Sequence, residues 1–376
     1  MLSDRRVSAC RRCYVDEDAS GHSRRLKSNA KSVIFTRQAF DQSWRQSPGH
    51  EHFVASDQLD GYTSTLPIDL HIDLGNYCNL ACKMCNPRAS STIAAQQVRW
   101  GQESSRQYLG TDWTRDDRVW QDFLRQLLEI PSLKNIHFMG GETLLTPRTA
   151  QVVDWFISHD RQDVCFSFVT NGTVYPHELM EKLIGFDRVG IEVSIETMTE
   201  HNRYQRQGTD NALVLENIQR FRQWTRYPHV SVALRPAPSI LTVGHYHTLL
   251  DFALSNQLVV KSNLCTEPSF MRVELLPQEV KSLYRDRLDS WASGVDWPAT
   301  DGGDFNASDP NNCSQILREQ VNMIRTLLDR PCPADSETEL ERLVRHCERW
   351  DRTYGLDARQ FYPELSDIFQ RHAYAV

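Results

Sequence analysis

The chain has 376 residues, of which 40% are hydrophobic and 24% charged, and carries a formal net charge of −7. That much apolar material buries a substantial core, which excludes a wholly disordered chain, and the acidic balance leaves no electrostatic footprint for duplex nucleic acid. The opening residues lack the apolar run of a secretory leader and no stretch of about 18 uncharged apolar residues occurs, so the expectation is a soluble, cytoplasmic protein with no membrane partner.

Residues 1–65 are polar, broken by Gly21, Pro48 and Gly61, and show no sustained apolar period, which predicts a loop-rich extension. From Ile68, apolar residues alternate strictly with Asp69, His71 and Asp73 through Leu74, the two-residue period of a strand, and the run ends at Gly75-Asn76-Tyr77-Cys78. Val119, Trp120, Phe123, Leu124, Leu127 and Leu128 mark a helix, and Ile136–Met139 follows as a strand. Further strands are predicted at Val164–Val169, Val189–Ile195, Val230–Leu234 and Leu258–Leu264, with helices near Ala150–Ser158, His177–Ile184, Ala212–Trp224 and Tyr246–Ser255. Such alternation argues for a parallel sheet with helical crossovers. Beyond Pro277 the patterns are helical, with a polar break at Asp296–Asn312. The predicted fold class is therefore α/β: six strands able to curl into a partial (β/α)6, TIM-like barrel over 66–276, between an N-terminal extension (1–65) and a helical C-terminal extension (277–376).

The chain has ten cysteines. Without an export signal they are expected to stay reduced and available as ligands. Cys78, Cys82 and Cys85 share one short loop at the carboxyl end of the first strand, where α/β barrels keep their chemistry. Three thiolates are one too few for a closed zinc site or a fully ligated cubane, so the grouping implies a coordination position left open. A zinc site completed by a distant His or Cys is the alternative.

Cys78-Asn79-Leu80-Ala81-Cys82-Lys83-Met84-Cys85 resembles the CxxxCxxC loop of the radical S-adenosylmethionine superfamily. The residue before the last cysteine, usually aromatic there, is Met84, whose polarizable surface would cover the adenine. His137-Phe138-Met139-Gly140-Gly141-Glu142 resembles the GGE motif, which implies that Gly140, Gly141 and Glu142 hold the methionine ammonium. Thr170 and Asn171, in Val169-Thr170-Asn171-Gly172, match the family's TNG turn and are pocket candidates. Ser194 and Glu196 resemble the pair that meets the ribose hydroxyls, Glu196 being longer than the more usual Asp. Arg206, in Tyr204-Gln205-Arg206-Gln207-Gly208, resembles the Arg that grips the methionine carboxylate. Arg235 and Asn263 are expected at the same end of the barrel.

Cys10 and Cys13, with Glu17, Gly21, Ser23 and Arg24 after them, resemble a stretch preceding the barrel in twitch-type relatives that carry an auxiliary Fe–S cluster; the segment Trp350–Leu365 resembles their helical tail. A second metal site at Cys10 and Cys13 is accordingly a candidate, against a local metal clip or two free thiols. Cys165 reads as core, and Cys265 as packing with a place after the sixth strand from which it could reach the pocket; the C-terminal Cys313, Cys332 and Cys347 read as packing, with completion of an N-terminal site as the alternative. The resemblance implies a [4Fe–4S] cluster and S-adenosylmethionine as cofactors. It further implies reductive cleavage to a 5′-deoxyadenosyl radical, hydrogen abstraction from a peptide or small-molecule substrate, and a flavodoxin or ferredoxin-type electron donor. Two rival readings stand beside it: a non-catalytic zinc-binding scaffold on a decayed barrel, and a dithiol oxidoreductase using Cys10 and Cys13.

Overall fold

The computed structural model describes residues 66–110, 112–297 and 313–376, so Cys10, Cys13 and the rest of the N-terminal extension lie outside the described residues. In chain order the strands are β1 (Asp69–Asp73), β2 (Ala81–Cys82), β3 (Asn135–Met139), β4 (Cys165–Thr170), β5 (Arg188–Val193), β6 (Arg206–Gln207), β7 (Val230–Leu234) and β8 (Val259–Val260). The helices are α1 (Ser91–Arg99), α2 (Asp117–Leu128), α3 (Pro147–Ser158), α4 (His177–Leu183), α5 (Glu200–Gln205), α6 (Asn211–Arg222), α7 (Tyr246–Ser255), α8 (Gln278–Gly294), α9 (Cys313–Leu328), α10 (Ser336–Tyr354), α11 (Ala358–Phe361) and α12 (Ser366–Arg371).

Six strands form one sheet in the order β1-β3-β4-β5-β7-β8, every neighbouring pair parallel. Spatial order follows chain order, so the sheet winds in one direction as a barrel does, and among the described residues it stays open. The remaining two strands pair with each other, antiparallel, as a short ribbon.

The two-residue period explains the layering. Ile136, Phe138, Phe166, Phe168, Val189 and Ile191 point to one face and are buried in a single core with Trp120, Val153, Phe156, Met180 and Phe221 from the crossover helices. Phe156 of α3 meets Phe166 edge-on with ring centroids 5.5 Å apart. The intervening residues His71, His137, Ser167 and Gly190 face the other way and are less buried. Cys165 belongs to this half-buried polar row, not to the core expected for it. Here His137 Nδ1 lies 2.7 Å from Ser167 Oγ, and Glu192 accepts from Lys261 and Arg235. Burial of Glu192 opposes its ionisation, but Lys261 and Arg235 outweigh it and hold the carboxyl below its ordinary 4.5. A depressed carboxyl contributes stability above its unfolded value, and that contribution is lost as pH falls through the folded one. Glu192→Gln is therefore expected to make acid unfolding less steep below about pH 4.5, followed by circular dichroism; unchanged steepness would count against this account.

Strand β8 is shorter than the predicted Leu258–Leu264. The chain continues alongside β7, with Lys261 N donating to Leu234 O (2.8 Å), Asn263 N to Pro236 O (2.9 Å) and Cys265 N to Pro238 O (3.2 Å). Because Pro236 and Pro238 have no N–H to return, the ladder is one-sided and no regular strand persists. Beyond Pro277 the described elements are helical or turn-like, and residues Ile68–Val376 form one compact unit. No helix among the described residues is long and apolar enough to cross a membrane.

Candidate active site

The cysteine loop leaves β1 at its carboxyl end and is fixed by hydrogen bonds on all sides. Asn76 Nδ2 donates to Pro87 O (3.1 Å) and Tyr108 O (2.9 Å), Ser91 Oγ accepts from Cys78 N (3.3 Å), and Thr92 Oγ1 donates to Cys78 O (2.6 Å). Ser90 caps α1 by accepting from Ile93 N at 3.2 Å, while its own hydroxyl donates to Leu80 O at 2.9 Å. Sequence periodicity missed α1, whose buried residues are Ile93, Ala94 and Gln96; Ser90 as a capping residue was the available signal.

The Gly140-Gly141-Glu142 turn lies directly against the backbone of this loop. Gly141 N donates to Gly75 O (2.8 Å) and Glu142 N to Tyr77 O (2.7 Å), extending the β1–β3 alignment past both strand ends. Gly140 has φ +116°, and a Cβ on Gly141 would come within 2.2 Å of Tyr77 O. Main chain meets main chain here, and only glycine permits it.

Glu142 is 2% exposed and turned inward. Its carboxylate accepts from Thr170 Oγ1 (2.6 Å), Leu144 N (3.0 Å) and Asn171 N (2.5 Å). Burial raises its pKa, against the lowering influence of those donors. Asn171 Nδ2 reaches Asn79 Oδ1 at 2.9 Å and Cys78 Sγ at 3.9 Å, which ties the carboxyl end of β4 to the cysteine loop.

The ribbon brings in the last charged pair, with Cys82 directly opposite Arg206. Arg206 lies 2.7 Å from Glu196 Oε1 through Nη2 and 3.8 Å from Cys82 Sγ through Nη1. Glu196 also accepts from Ala237 N at 2.6 Å. These two residues, expected separately at the ribose and the methionine carboxylate, thus form a buried ion pair with each other. Ser194 and Met84 are half-buried. Met84 and Cys85 line a cavity of about 540 Å³ whose other wall includes Phe270, His346 and Arg349. Of the run Arg203-Tyr204-Gln205-Arg206, only Arg203 is exposed, and it pairs with Glu200.

Burial pushes the Cys78 thiol up to about 11 and raises Cys82 and Cys85 as well. Cys78 and Cys85 add to the rise at Cys82, as close thiols do, and Arg206 opposes it. Among the described residues no three His, Cys, Asp or Glu side chains converge closely enough to hold a single metal ion. The fit to an iron–sulfur cluster rests instead on the donor set: three thiols on one loop, with Leu80 N (3.5 Å) and Asn171 Nδ2 aimed at Cys78 Sγ and Arg206 aimed at Cys82 Sγ. N–H donors of this kind stabilise anionic sulfur, and a bound metal deprotonates a thiol outright.

The remaining cysteines lie elsewhere. Cys265 is buried with its thiol 3.6 Å from Glu267 O, Cys313 is buried with its thiol 3.1 Å from Leu258 O, and Cys332 is exposed. Cys347 is fully buried in α10. Sequence reasoning missed Lys83, which is 0% exposed between two of the loop cysteines.

Residues 72–226, from β1 to the turn after α6, match the profile of the Radical SAM superfamily. The stretch is thus similar to a radical S-adenosylmethionine domain, of a superfamily of enzymes that use S-adenosylmethionine and a [4Fe–4S] cluster. No curated protein sequence matches the chain. Among solved structures, the chain is similar to Streptococcus suis SuiB bound to S-adenosylmethionine, with 12% identity over 71% of this chain and 59% of that one (TM-score 0.43). It is also similar to anSMEcpe with bound AdoMet, with 16% identity over 61% of this chain and 62% of that one (TM-score 0.43). The chain thus spans about three fifths of the length of either.

Proposed function

We propose that this chain is a radical S-adenosylmethionine enzyme whose Cys78, Cys82 and Cys85 hold a [4Fe–4S] cluster, with one iron left for S-adenosylmethionine. The observation that carries the proposal is the contact between the cysteine loop and the Gly140-Gly141-Glu142 turn, made through Gly75 O and Tyr77 O at 2.8 and 2.7 Å. Two motifs far apart in sequence thereby share the carboxyl ends of β1 and β3, where ligands of α/β sheets bind. When bound, the reduced cluster and S-adenosylmethionine supply a 5′-deoxyadenosyl radical that takes a hydrogen atom from the substrate.

The protein's own part is to bind, orient and exclude water. Gly140, Gly141, Met84 and Ser194 are proposed to face S-adenosylmethionine. Glu142, Thr170 and Asn171 hold the wall behind Cys78, and Glu196 with Arg206 holds the wall behind Cys82. The unspent N–H groups of Arg206 serve the methionine carboxylate. A peptide or small-molecule substrate, the twitch-type assignment and an auxiliary cluster at Cys10 and Cys13 are proposed from sequence resemblance, as is a flavodoxin or ferredoxin-type donor.

Anaerobic purification and reconstitution test the proposal. The expected protein is brown, binds about four irons per chain and forms 5′-deoxyadenosine when reduced with S-adenosylmethionine. Iron near twice that amount would support the auxiliary site. Colourless protein holding zinc and forming no 5′-deoxyadenosine would overturn the proposal in favour of a scaffold.

A further inference from the structure

A lysine between two cluster-loop cysteines would ordinarily be read as a solvated charge, since unpaired lysine is almost never fully buried. Lys83 is enclosed completely, as is Asp351 of α10, whose Oδ1 lies 3.8 Å from Lys83 Nζ. Lys83 Nζ donates to Tyr204 O at 3.0 Å and stands 3.7 Å above the Tyr204 ring and 5.5 Å from that of Trp350. Its backbone is held as firmly, with N donating to Gln205 O at 2.8 Å and O 3.0 Å from His346 Nε2.

Asp351 is anchored from the opposite side. Its Oδ2 accepts from Tyr374 OH (2.6 Å), Ala358 N (2.8 Å) and Tyr204 OH (3.0 Å), while Oδ1 has no hydrogen-bond partner among the described residues. Neutral donors therefore spend one oxygen, and the ammonium is faced by the other across a gap longer than a hydrogen bond. The cation belongs to the cysteine loop and the anion to the C-terminal tail.

We propose that Lys83 is a positioning residue that raises the reduction potential of the cluster assigned to Cys78, Cys82 and Cys85, and that Asp351 moderates it; this rests on the function proposed above. Reduction adds one negative charge to the cluster, which a nearby cation favours and a nearby anion opposes. Inside the protein that interaction acts at an effective dielectric of about 20 instead of about 80, and salt screens it weakly. Of the pair, Lys83 is the one whose charge interacts with Cys82, and it has the larger influence.

Full-length wild type, Lys83→Met, Asp351→Asn and the double variant are reconstituted, and the cluster is titrated against potential by electron paramagnetic resonance. Lys83→Met is expected to move the midpoint to more negative potential and Asp351→Asn to more positive. At a fixed poise near the wild-type midpoint, the reduced-to-oxidised ratio should change at least about threefold in opposite directions. The double variant should fall between them, and Lys83→Arg should restore the wild-type value. A pair that served only to fasten the tail would lower the unfolding temperature of both single variants and shift their potentials alike or not at all, which overturns the inference. If Lys83→Met fails to fold, Asp351→Asn decides alone: a negative shift, or none, overturns it. Wild type that takes up no iron overturns the underlying function as well, whereas iron present with unsplit potentials overturns this inference only.

Discussion

Alanine in place of Cys78, Cys82 or Cys85 is expected to reduce both iron content and 5′-deoxyadenosine formation to background, a loss of at least about a hundredfold, exceeding that typical of residues behind the ligands. The three thiols sit on one loop whose backbone is hydrogen-bonded to α1, to the Gly140-Gly141 turn and to β6, so no neighbouring residue swings in to replace a lost ligand. Among the described cysteines Cys332 is the exposed one, and Cys332→Ala should leave both measurements unchanged. Circular dichroism of the cluster-free variants separates lost ligation from lost fold. Full iron and undiminished product in Cys82→Ala would remove the basis of the assignment.

Gly141→Ala should damage the same site by a different route. The added Cβ would lie 2.2 Å from Tyr77 O and 2.6 Å from Asn76 C and Tyr77 C, all backbone atoms that no rotamer change can move aside. Overpacking of this kind costs about 1–3 kcal/mol, and more where only main chain surrounds it. The turn and the cysteine loop must then separate, so the cluster-free protein should unfold several degrees lower and bind iron poorly after reconstitution. Gly294→Ala, where nothing lies within 4 Å of the added Cβ, is the control. Equal unfolding temperatures for wild type and Gly141→Ala would show that the two loops are not in contact.

Much of this architecture is legible in the sequence because its signals are local. The alternation from Ile68 to Leu74 marks β1, and Tyr246–Ser255 is the helix its apolar spacing predicts. The cysteine spacing and the Gly-Gly-Glu turn stand out without structural help. What escaped are pairings between distant segments. Strands β2 and β6 have two residues each, too few for any period, and exist only because Cys82 meets Arg206 across the ribbon. Glu196 and Arg206 both stand out in the sequence as candidate ligand contacts, but it carries no sign that they also pair with each other. Lys83 and Asp351 are the extreme case: each reads as a surface charge, and burial follows only from the tail packing under the cysteine loop. Strand β8 ended early because Pro236 and Pro238 are in the neighbouring segment, which its own residues cannot reveal.

The β2–β6 ribbon makes a lever of the site. Cys82 is joined through paired main chain to Arg206, and Arg206 through its ion pair to Glu196 beyond the end of β5. On the proposed function, a molecule drawing on the free edge of that guanidinium would also pull on the sulfur-bearing segment, and metal seated there would stiffen the grip in return. By reciprocity, whatever occupancy of one does to the affinity of the other, the converse must equal it. Under that proposal, metal assembly and ligand capture would be two ends of one mechanical element.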